Sequence, residues 1–554
     1  MYADVVVLTY QAPDINYFSY KIPKELQKQI KIGQLIKVPF GKRNPYGIVI
    51  GTSDQRPKTG EIKPISSIVL RHPLLLPYQI KLLKWMAFYY MAPMVNCLEA
   101  MLPDLPAKVE QLTTNAEIQN SFSPSSLVFS QSLILAPTIN RIPETLAKFS
   151  KAKNYALYHN ELKMTERFKT WLTIVSGKAD FIFGSRSAIF APCPFLKQII
   201  IYDENDHAYK DERSPYFDTL TVASKISEFT GSKINIIDPA PKITTYHFFK
   251  NQIKMQKFIT TTKIISMQKE KLAGNFSSIS TFLQNEILKR TKLKQNILLF
   301  LNKKKESGNL FCKNCKFNDY FEKQPEFCPK CKSPDIYFNV LNTQSLESEV
   351  KKLTHHFLVN IKTSTVFYLP IVQKYDLIAY IQPDPLLSRA DFSSIEILYG
   401  QIVNLKKLMA DNGMLIIQTY NTDNPILTTI ADSNYQAFYK NQINGRQALS
   451  YPPFALLIKL TFKGKDDEKV KTKANGVYRS VNSAIQQFNN SSIKLLGPYQ
   501  SVFFSKKPSY NIICKYKLNS YSLANRQKAI KNITKILSCI PKDFQITVEP
   551  ESIN

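Results

Sequence analysis

Four of the eight cysteines form two CxxC pairs, Cys312-Lys313-Asn314-Cys315 and Cys328-Pro329-Lys330-Cys331, with twelve residues between the pairs. Each pair sets two thiolates on one tight turn, and two such turns supply the tetrahedral four-sulfur shell that Zn²⁺ prefers. A cytosolic redox pair is the alternative chemistry, but two pairs in one short segment favour a structural metal. Such a zinc has no open coordination position, so it would fold a small knob and not catalyse. The other four, Cys97, Cys193, Cys514 and Cys539, stand singly among apolar residues and read as reduced core side chains. A second chemical candidate is Asp203-Glu204, which follows the apolar run Gln198–Tyr202. Two acids after a strand can hold a divalent cation, although an exposed pair at a strand end is the commoner arrangement.

The elements that would position these groups belong to a long, basic chain. Its 554 residues exceed one ordinary domain and suit three or four. Hydrophobic residues at 44% and charged residues at 21% are ordinary globular values, which excludes a disordered tail protein. No apolar run reaches the length of a membrane-spanning helix, and the N-terminal MYADVVVLTYQAP has no signal-peptide pattern, so a cytoplasmic protein is expected. Lys and Arg number 73 against 43 Asp and Glu, a formal net charge of +30. That surplus points to a polyanionic partner such as nucleic acid, although an AT-biased genome also scatters Lys over every solvated face. Glycine is scarce at 16 residues, under half of the ~7% average usage, which argues against Gly-rich phosphate-binding loops.

Residues 1–51 alternate apolar and polar, with turn signals at Ala12-Pro13-Asp14, Lys31-Ile32-Gly33 and Pro39-Phe40-Gly41, a small β-rich unit. Residues 74–101 carry apolar residues at helical spacing, interrupted at Pro93. Residues 106–126 are polar and Ser-rich, the composition of a linker. From 127 to 240, strand-like runs alternate with helical stretches, the βα pattern of a parallel doubly wound sheet. A second strand-helix region runs from about 280 to 420 around the cysteine pairs, and strands alternate with Lys-rich helices from 430 onward.

The string FSYKIPKELQKQIKIGQLIKVPFGKRNPYGIVIG, Phe18 to Gly51, resembles the N-terminal DNA-binding domain of the primosomal protein N′ (PriA) family of replication-restart helicases. The resemblance continues in order through LLKWMAFYYMAPMVNCLEAMLPDLP, LILAPTINRIPETLAKF, FIFGSRSAIFAPCPFLKQIIIYDENDHAYK, DNGMLIIQTYNTDNPIL and RQALSYPPFALLIKLTFKG. It implies a multidomain α/β protein: a 3′-end DNA-binding domain over 1–105, a linker over 106–126, a degenerate superfamily 2 helicase lobe over 127–245, a second lobe over 280–425 with a zinc-binding insertion at 308–340, and a C-terminal α+β domain over 430–554. By motif match, the DNA-binding pocket falls at Phe18, Ser19, Gly33 and Lys63, where a ring can stack a terminal base and Lys can meet a phosphate. The family's F-D-Y pattern has an acid where Ser19 stands, so specific reading of the 3′ end is put in question.

Departures from the family pattern bear on activity. Gly-Lys occurs only at Gly41-Lys42, Gly177-Lys178 and Gly464-Lys465, never followed by Ser or Thr, so the phosphate-binding loop is missing, and residues 106–133 leave no room for the family's winged helix. The motif II acids persist as Asp203 and Glu204, but the His does not align. The ATP-coupling segment reads Asp238-Pro239-Ala240-Pro241, and the arginine-finger motif reads Gln401–Leu408 with Leu405 and Leu408 at the arginine positions. A lost finger alone costs on the order of 10³–10⁵ in phosphoryl-transfer rate. ATP and Mg²⁺ are thus in doubt as cofactors, and one structural zinc replaces the family's two. The expectation is a replication-restart protein that binds branched, forked or single-stranded DNA without ATP-driven unwinding. By resemblance its partners are restart proteins and single-strand-binding protein, with no membrane. The alternatives are a divergent active helicase and a scaffold that does not bind DNA.

Overall fold

In the computed structural model, the early alternation of apolar and polar residues yields β1 (Tyr2–Val7), β2 (Phe18–Lys21), β3 (Leu35–Lys37), β4 (Tyr46–Ser53) and β5 (Ser67–Ile68). They form an antiparallel sheet in the order β2-β1-β4-β3-β5, and a bridge from Lys21 to Pro64 brings the far end back to β2. The structure describes residues 1–9, 16–57, 62–106, 109, 130–149, 153–255, 258, 260–302, 308–321, 323–354, 359–370, 373–488, 491–501 and 507–554. The expected linker at 106–126 and the turn at Ala12-Pro13-Asp14 therefore lie largely outside the described residues. Val5, Tyr20, Ile36 and Val49 fill one side of the sheet. Their strand neighbours Val6, Leu35 and Ile48 join a larger core with Leu82, Leu83 and Met86, as period-two alternation requires.

The helical pattern over 74–101 resolves into Pro77–Tyr89 and Met94–Met101, with Pro93 as the N-cap of the second helix. Proline lacks the N–H an inner helical turn needs but costs nothing at a helix start. The first helix is bonded to the next module. The Gln79 amide donates to Phe190 O at 2.7 Å, and Trp171 Nε1 donates to Leu74 O at 3.0 Å.

That module is a six-stranded sheet of β6 (Gln131–Leu135), β7 (Tyr155–Tyr158), β8 (Phe181–Gly184), β9 (Leu196–Tyr202), β10 (Lys233–Ile237) and β11 (Ile253–Lys254). The order is β11-β10-β9-β6-β8-β7 and every pairing is parallel. From β6 the chain goes to the edge strand β7, returns to β8 beside β6, and then crosses to β9 on the other side. The strand order thus reverses between these two strands, where doubly wound sheets open a ligand crevice at their carboxyl ends. Asp218 caps the helix Thr219–Thr230, and Gly231 ends it at φ 72°, a left-handed stop that glycine adopts without a Cβ clash.

The second compact unit spans Met255–Gly445, while Met1–Lys254 and Arg446–Asn554 make up the first. The second unit has a parallel sheet of β12 (Thr261–Ser266), β13 (Ile297–Phe300), β17 (Val359–Lys362), β18 (Tyr375–Tyr380) and β19 (Met409–Thr419), in the order β12-β19-β18-β13-β17. Between β13 and β17 the chain forms a separate antiparallel sheet of β14 (Gly308–Cys312), β15 (Asn318–Phe321) and β16 (Ile336–Val340). In the first unit, β20 (Ala455–Lys463), β21 (Ile493–Gln500), β22 (Ser509–Lys517) and β23 (Gln545–Val548) make an antiparallel sheet in the order β21-β22-β20-β23. Val477 and Val481 of helix Asp467–Gln487 and Ile530 and Ile533 of helix Leu523–Ile536 sit in one core with Ile458 and Ile512.

Cys97, Cys193 and Cys514 are buried, whereas Cys539 is exposed. Cys539 ends the turn Leu537–Cys539 that follows helix Leu523–Ile536, and burial of Ile533, Ile536 and Leu537 leaves it on the outer side. Among the described residues no helix is long and apolar enough to cross a membrane.

Gly33 has φ +89°, and a Cβ there would lie 2.1 Å from Leu75 O. Gly33→Ala should therefore destabilise the first unit by about 1–3 kcal/mol, read as an earlier urea midpoint.

Candidate nucleic-acid interface and metal centre

Phe18 opens β2 and is half-buried. Its ring meets Phe40 edge to face at 5.1 Å between centroids. Tyr20, two residues on and so on the same side of the strand, donates its hydroxyl to Pro39 O at 3.3 Å, and burial pushes it up to about 12. Phe40 begins a turn closed by Phe40 N–H to Arg43 O at 2.8 Å and the reciprocal bond at 3.1 Å. Within the turn Gly41 has φ +59° and open space where a side chain would stand, and Lys42 and Arg43 are exposed. Lys63 is also exposed, and its carbonyl accepts the Lys21 N–H at 2.9 Å. Exposed Lys42 and Arg43 thus stand on the turn that Phe40 begins, next to the Phe18–Phe40 pair, while Lys21 and Lys63 meet through their backbones at the far end of β2.

Ser19 lies on the opposite side of β2 from Phe18, since successive strand residues alternate. Its hydroxyl donates to Asp4 Oδ1 at 2.7 Å, and Asp4 is its cross-strand partner on β1. Gly33 does not join Phe18. The sheet order puts β1 and β4 between them, and the Gly33 N–H is spent on Val49 O at 2.8 Å. Asp4, Gly41, Lys42 and Arg43 are the neighbours that sequence reading missed. Pro39-Phe40-Gly41 carried a signal only as a turn, and Asp4 becomes visible only through strand register.

Asp203 and Glu204 follow β9 at the carboxyl edge of the parallel sheet. Glu204 is not the exposed strand-end acid of the commoner arrangement, being 2% exposed. Its Oε1 lies 3.6 Å from Lys242 Nζ, and its Oε2 accepts the Lys242 N–H at 3.3 Å. The same ammonium lies 3.5 Å from Asp218 and 3.7 Å from Glu551. Asp238 accepts the Asn205 N–H at 2.8 Å and the Ala240 N–H at 2.7 Å. Burial pushes Glu204 up to about 7, with Lys242 opposing and Asp238 and Asp218 adding to the rise. Burial also works against the Asp218 carboxylate, but Lys242, Lys210 and the bonds from Thr221 hold it below its usual value. The result is a buried salt cluster in which one lysine serves three carboxylates.

The cysteine pairs converge. Sγ of Cys312 lies 3.6 Å from that of Cys331, and Sγ of Cys315 lies 3.6 Å from that of Cys328. All four sulfurs fall within 4.8 Å of one another. The edge of a sulfur tetrahedron around an ion at about 2.3 Å is about 3.8 Å, so the group can hold a metal ion. The two knuckles repeat one backbone geometry. Lys316 N–H returns to Cys312 O at 3.0 Å and Lys332 N–H to Cys328 O at 2.9 Å, and both lysines have positive φ, 60° and 59°.

Gln401–Leu408 lies mostly in helix Ser394–Lys407, with Leu405 and Leu408 buried. Gln401 accepts the Tyr380 hydroxyl at 2.6 Å. Lys406 donates to Ala431 O at 2.6 Å and Ser433 Oγ at 2.7 Å, and burial lowers its ammonium to about 8. This helix face is committed to packing.

Fold and sites together define a multidomain α/β protein with a basic, aromatic N-terminal module and a four-cysteine centre. Residues 6–103 match the family model of the 3′DNA-binding domain (3′BD) of PriA. Over most of its length the chain is similar to replication restart protein PriA. The protein of Borreliella burgdorferi is 26% identical over 468 residues, covering 72% of this chain and 69% of that protein. That of Rickettsia conorii is 22% identical over an alignment of 654 residues, covering 96% and 97%. The chain is thus similar to PriA proteins both in this domain and along most of its length. It spans between 58% and 69% of the length of four of these relatives. Among solved structures, RecG bound to a three-way DNA junction is 10% identical with a TM-score of 0.30, over 66% of this chain and 46% of that one.

Replacing Lys242 by Met would leave Glu204 buried without its cation and Asp218 with Lys210 alone. Destabilisation of about 3 kcal/mol is expected at pH 8. It should be smaller at pH 6, where Glu204 takes up a proton, and urea denaturation at both values checks the difference.

Proposed function

We propose that this chain acts in replication restart by binding branched or forked DNA through its N-terminal module, without ATP-driven unwinding. The observation that carries the reading is the 3′DNA-binding match over residues 6–103, on a fold where the Phe18–Phe40 pair adjoins a turn with exposed Lys42 and Arg43. In this reading Phe18 stacks a terminal base, Lys42, Arg43 and Lys63 meet phosphates, and the open Gly41 position lets a nucleotide approach the backbone. The Ser19–Asp4 pair supplies a hydroxyl held by a carboxylate on the neighbouring strand, a polar contact for a strand end.

Loss of the motor is supported by three features. The sequence has no Gly-x4-Gly-Lys-Ser/Thr loop. Glu204 is engaged by Lys242, and apolar, buried Leu405 and Leu408 stand where arginine fingers would. The parallel sheets of 127–245 and 280–425 then serve as degenerate helicase lobes that carry the DNA-binding and C-terminal modules. Cys312, Cys315, Cys328 and Cys331 hold one zinc, which supplies folding energy to the small sheet β14–β16 and no catalysis.

Fork DNA with a free 3′ end should bind with an affinity that falls steeply with salt, because phosphate contacts release counterions. Lys42→Ala and Lys63→Ala should each weaken binding across sequences and lower the log–log salt slope by about 1. Salt-independent binding in a fluorescence titration would refute the reading. ATP hydrolysis that forked DNA stimulates and Glu204→Gln abolishes would restore the motor. Metal analysis of the purified chain should give a single zinc, lost in Cys328→Ser.

A further inference from the structure

Helix Met267–Leu272 leads to helix Thr281–Lys292 through a loop at the carboxyl edge of the second parallel sheet. One side of this loop is bonded to the unit that carries it. Gln418, next to the last residue of β19, accepts the Ser280 N–H at 2.8 Å and donates to Ser278 O at 2.9 Å. Glu349 of helix Thr343–Leu353 accepts the Ser277 hydroxyl at 2.6 Å and the Ser278 N–H at 2.8 Å. The other side meets the four-cysteine module. Tyr337 of β16 donates its hydroxyl to Phe276 O at 2.9 Å, with the two rings 5.0 Å apart. Lys313, inside the first cysteine pair, sets its ammonium 5.7 Å from the centre of the Phe276 ring.

Lys271, in the last turn of helix Met267–Leu272, lies beneath this contact. Its Nζ donates to Phe276 O at 2.7 Å, and it stands 4.7 Å from the centre of the Tyr337 ring and 5.6 Å from that of Phe276. A carbonyl oxygen and ring faces suit an ammonium taken out of water, and Lys271 is only 3% exposed. Register ties this cover to the cysteines. Tyr337 pairs with Phe311 and Ile336 with Cys312, at consecutive positions of β16 and β14. The strands β14 to β16 have five, four and five residues, and a sheet that small draws folding energy from a bound ion.

We propose that the four-cysteine module is a metal-dependent clamp on this sheet edge. With the ion bound, β16 closes over Lys271 and holds Phe276 down. Without it, Tyr337 and Lys313 leave together, Lys271 opens to water, and Gln418 and Glu349 keep only the far side of the loop. The clamp rests on the zinc reading above and extends it, because the ion then orders residues outside the module it folds.

Acylation of lysines in the full chain, read by mass spectrometry, tests this. Burial lowers the Lys271 ammonium to about 8, so its amine is not short of the reactive form and slow labelling reports cover. With zinc bound, Lys271 should label about tenfold more slowly than exposed Lys289, as a group that reacts only on local opening does. Removing the ion with a chelator, or Cys328→Ser, should bring the two within about twofold of each other. Lys210, buried in the first unit, should stay slow throughout. Tyr337→Ala keeps all four cysteines and should speed labelling of Lys271 with the zinc content unchanged, and it carries the test where chelation also uncovers Lys210. Lys271 labelling that neither zinc removal nor Tyr337→Ala changes overturns the clamp and leaves the zinc reading standing. A purified chain without zinc overturns both.

Discussion

The first unit depends on one large hydrophobic core that three sheets share. Ile48 of the N-terminal sheet, Leu83 of its helix, Ile199 of the parallel sheet and Ile512 of the C-terminal sheet belong to one buried cluster. No module can bury its inner face alone, so loss of one exposes the others at a cost that scales with apolar area. The polar bonds that cross this core, from Gln79 to Phe190 O and from Trp171 to Leu74 O, fix its register more than they add energy. The N-terminal sheet and the parallel sheet are thus packed on one another through a common core.

At the carboxyl edge of that sheet, the acids are engaged from within the chain. Two carboxylates near one strand end can take a cation from solution. Here Lys242 of the same chain supplies it, and Asp238 is absorbed by two backbone N–H groups. Such a cluster contributes specificity of packing more than stability, because desolvation offsets most of the Coulomb gain.

The sequence made the parts with strong periodicity legible. The βα alternation from 127 to 240 appears as the parallel strands β6–β10, and the split at Pro93 appears as two helices, because a missing N–H has one local consequence. The cysteine cluster was legible because spacing within each pair dictates the turn. What stayed hidden depends on register and tertiary contact. Gly33 reads as a place where a base comes close, and the missing Cβ there also makes room for the carbonyl of Leu75. Glu204 looked exposed from its position at a strand end, while Lys242, thirty-eight residues on, buries it. Cys539 looked apolar by its neighbours, yet the helix phase turns it outward.

The first unit is discontinuous in sequence, with Met255–Gly445 lying between its two segments. Thr221 and Glu549, which touch in the fold, are separated by 328 positions. A ribosome adding about 5–20 residues per second needs on the order of tens of seconds to make that stretch. Throughout that interval helix Thr219–Thr230 lacks helix Leu523–Ile536, which packs on it in the finished fold. Apolar surface left open for that long is open to wrong partners, so the order of synthesis bears on this unit as well as its final contacts.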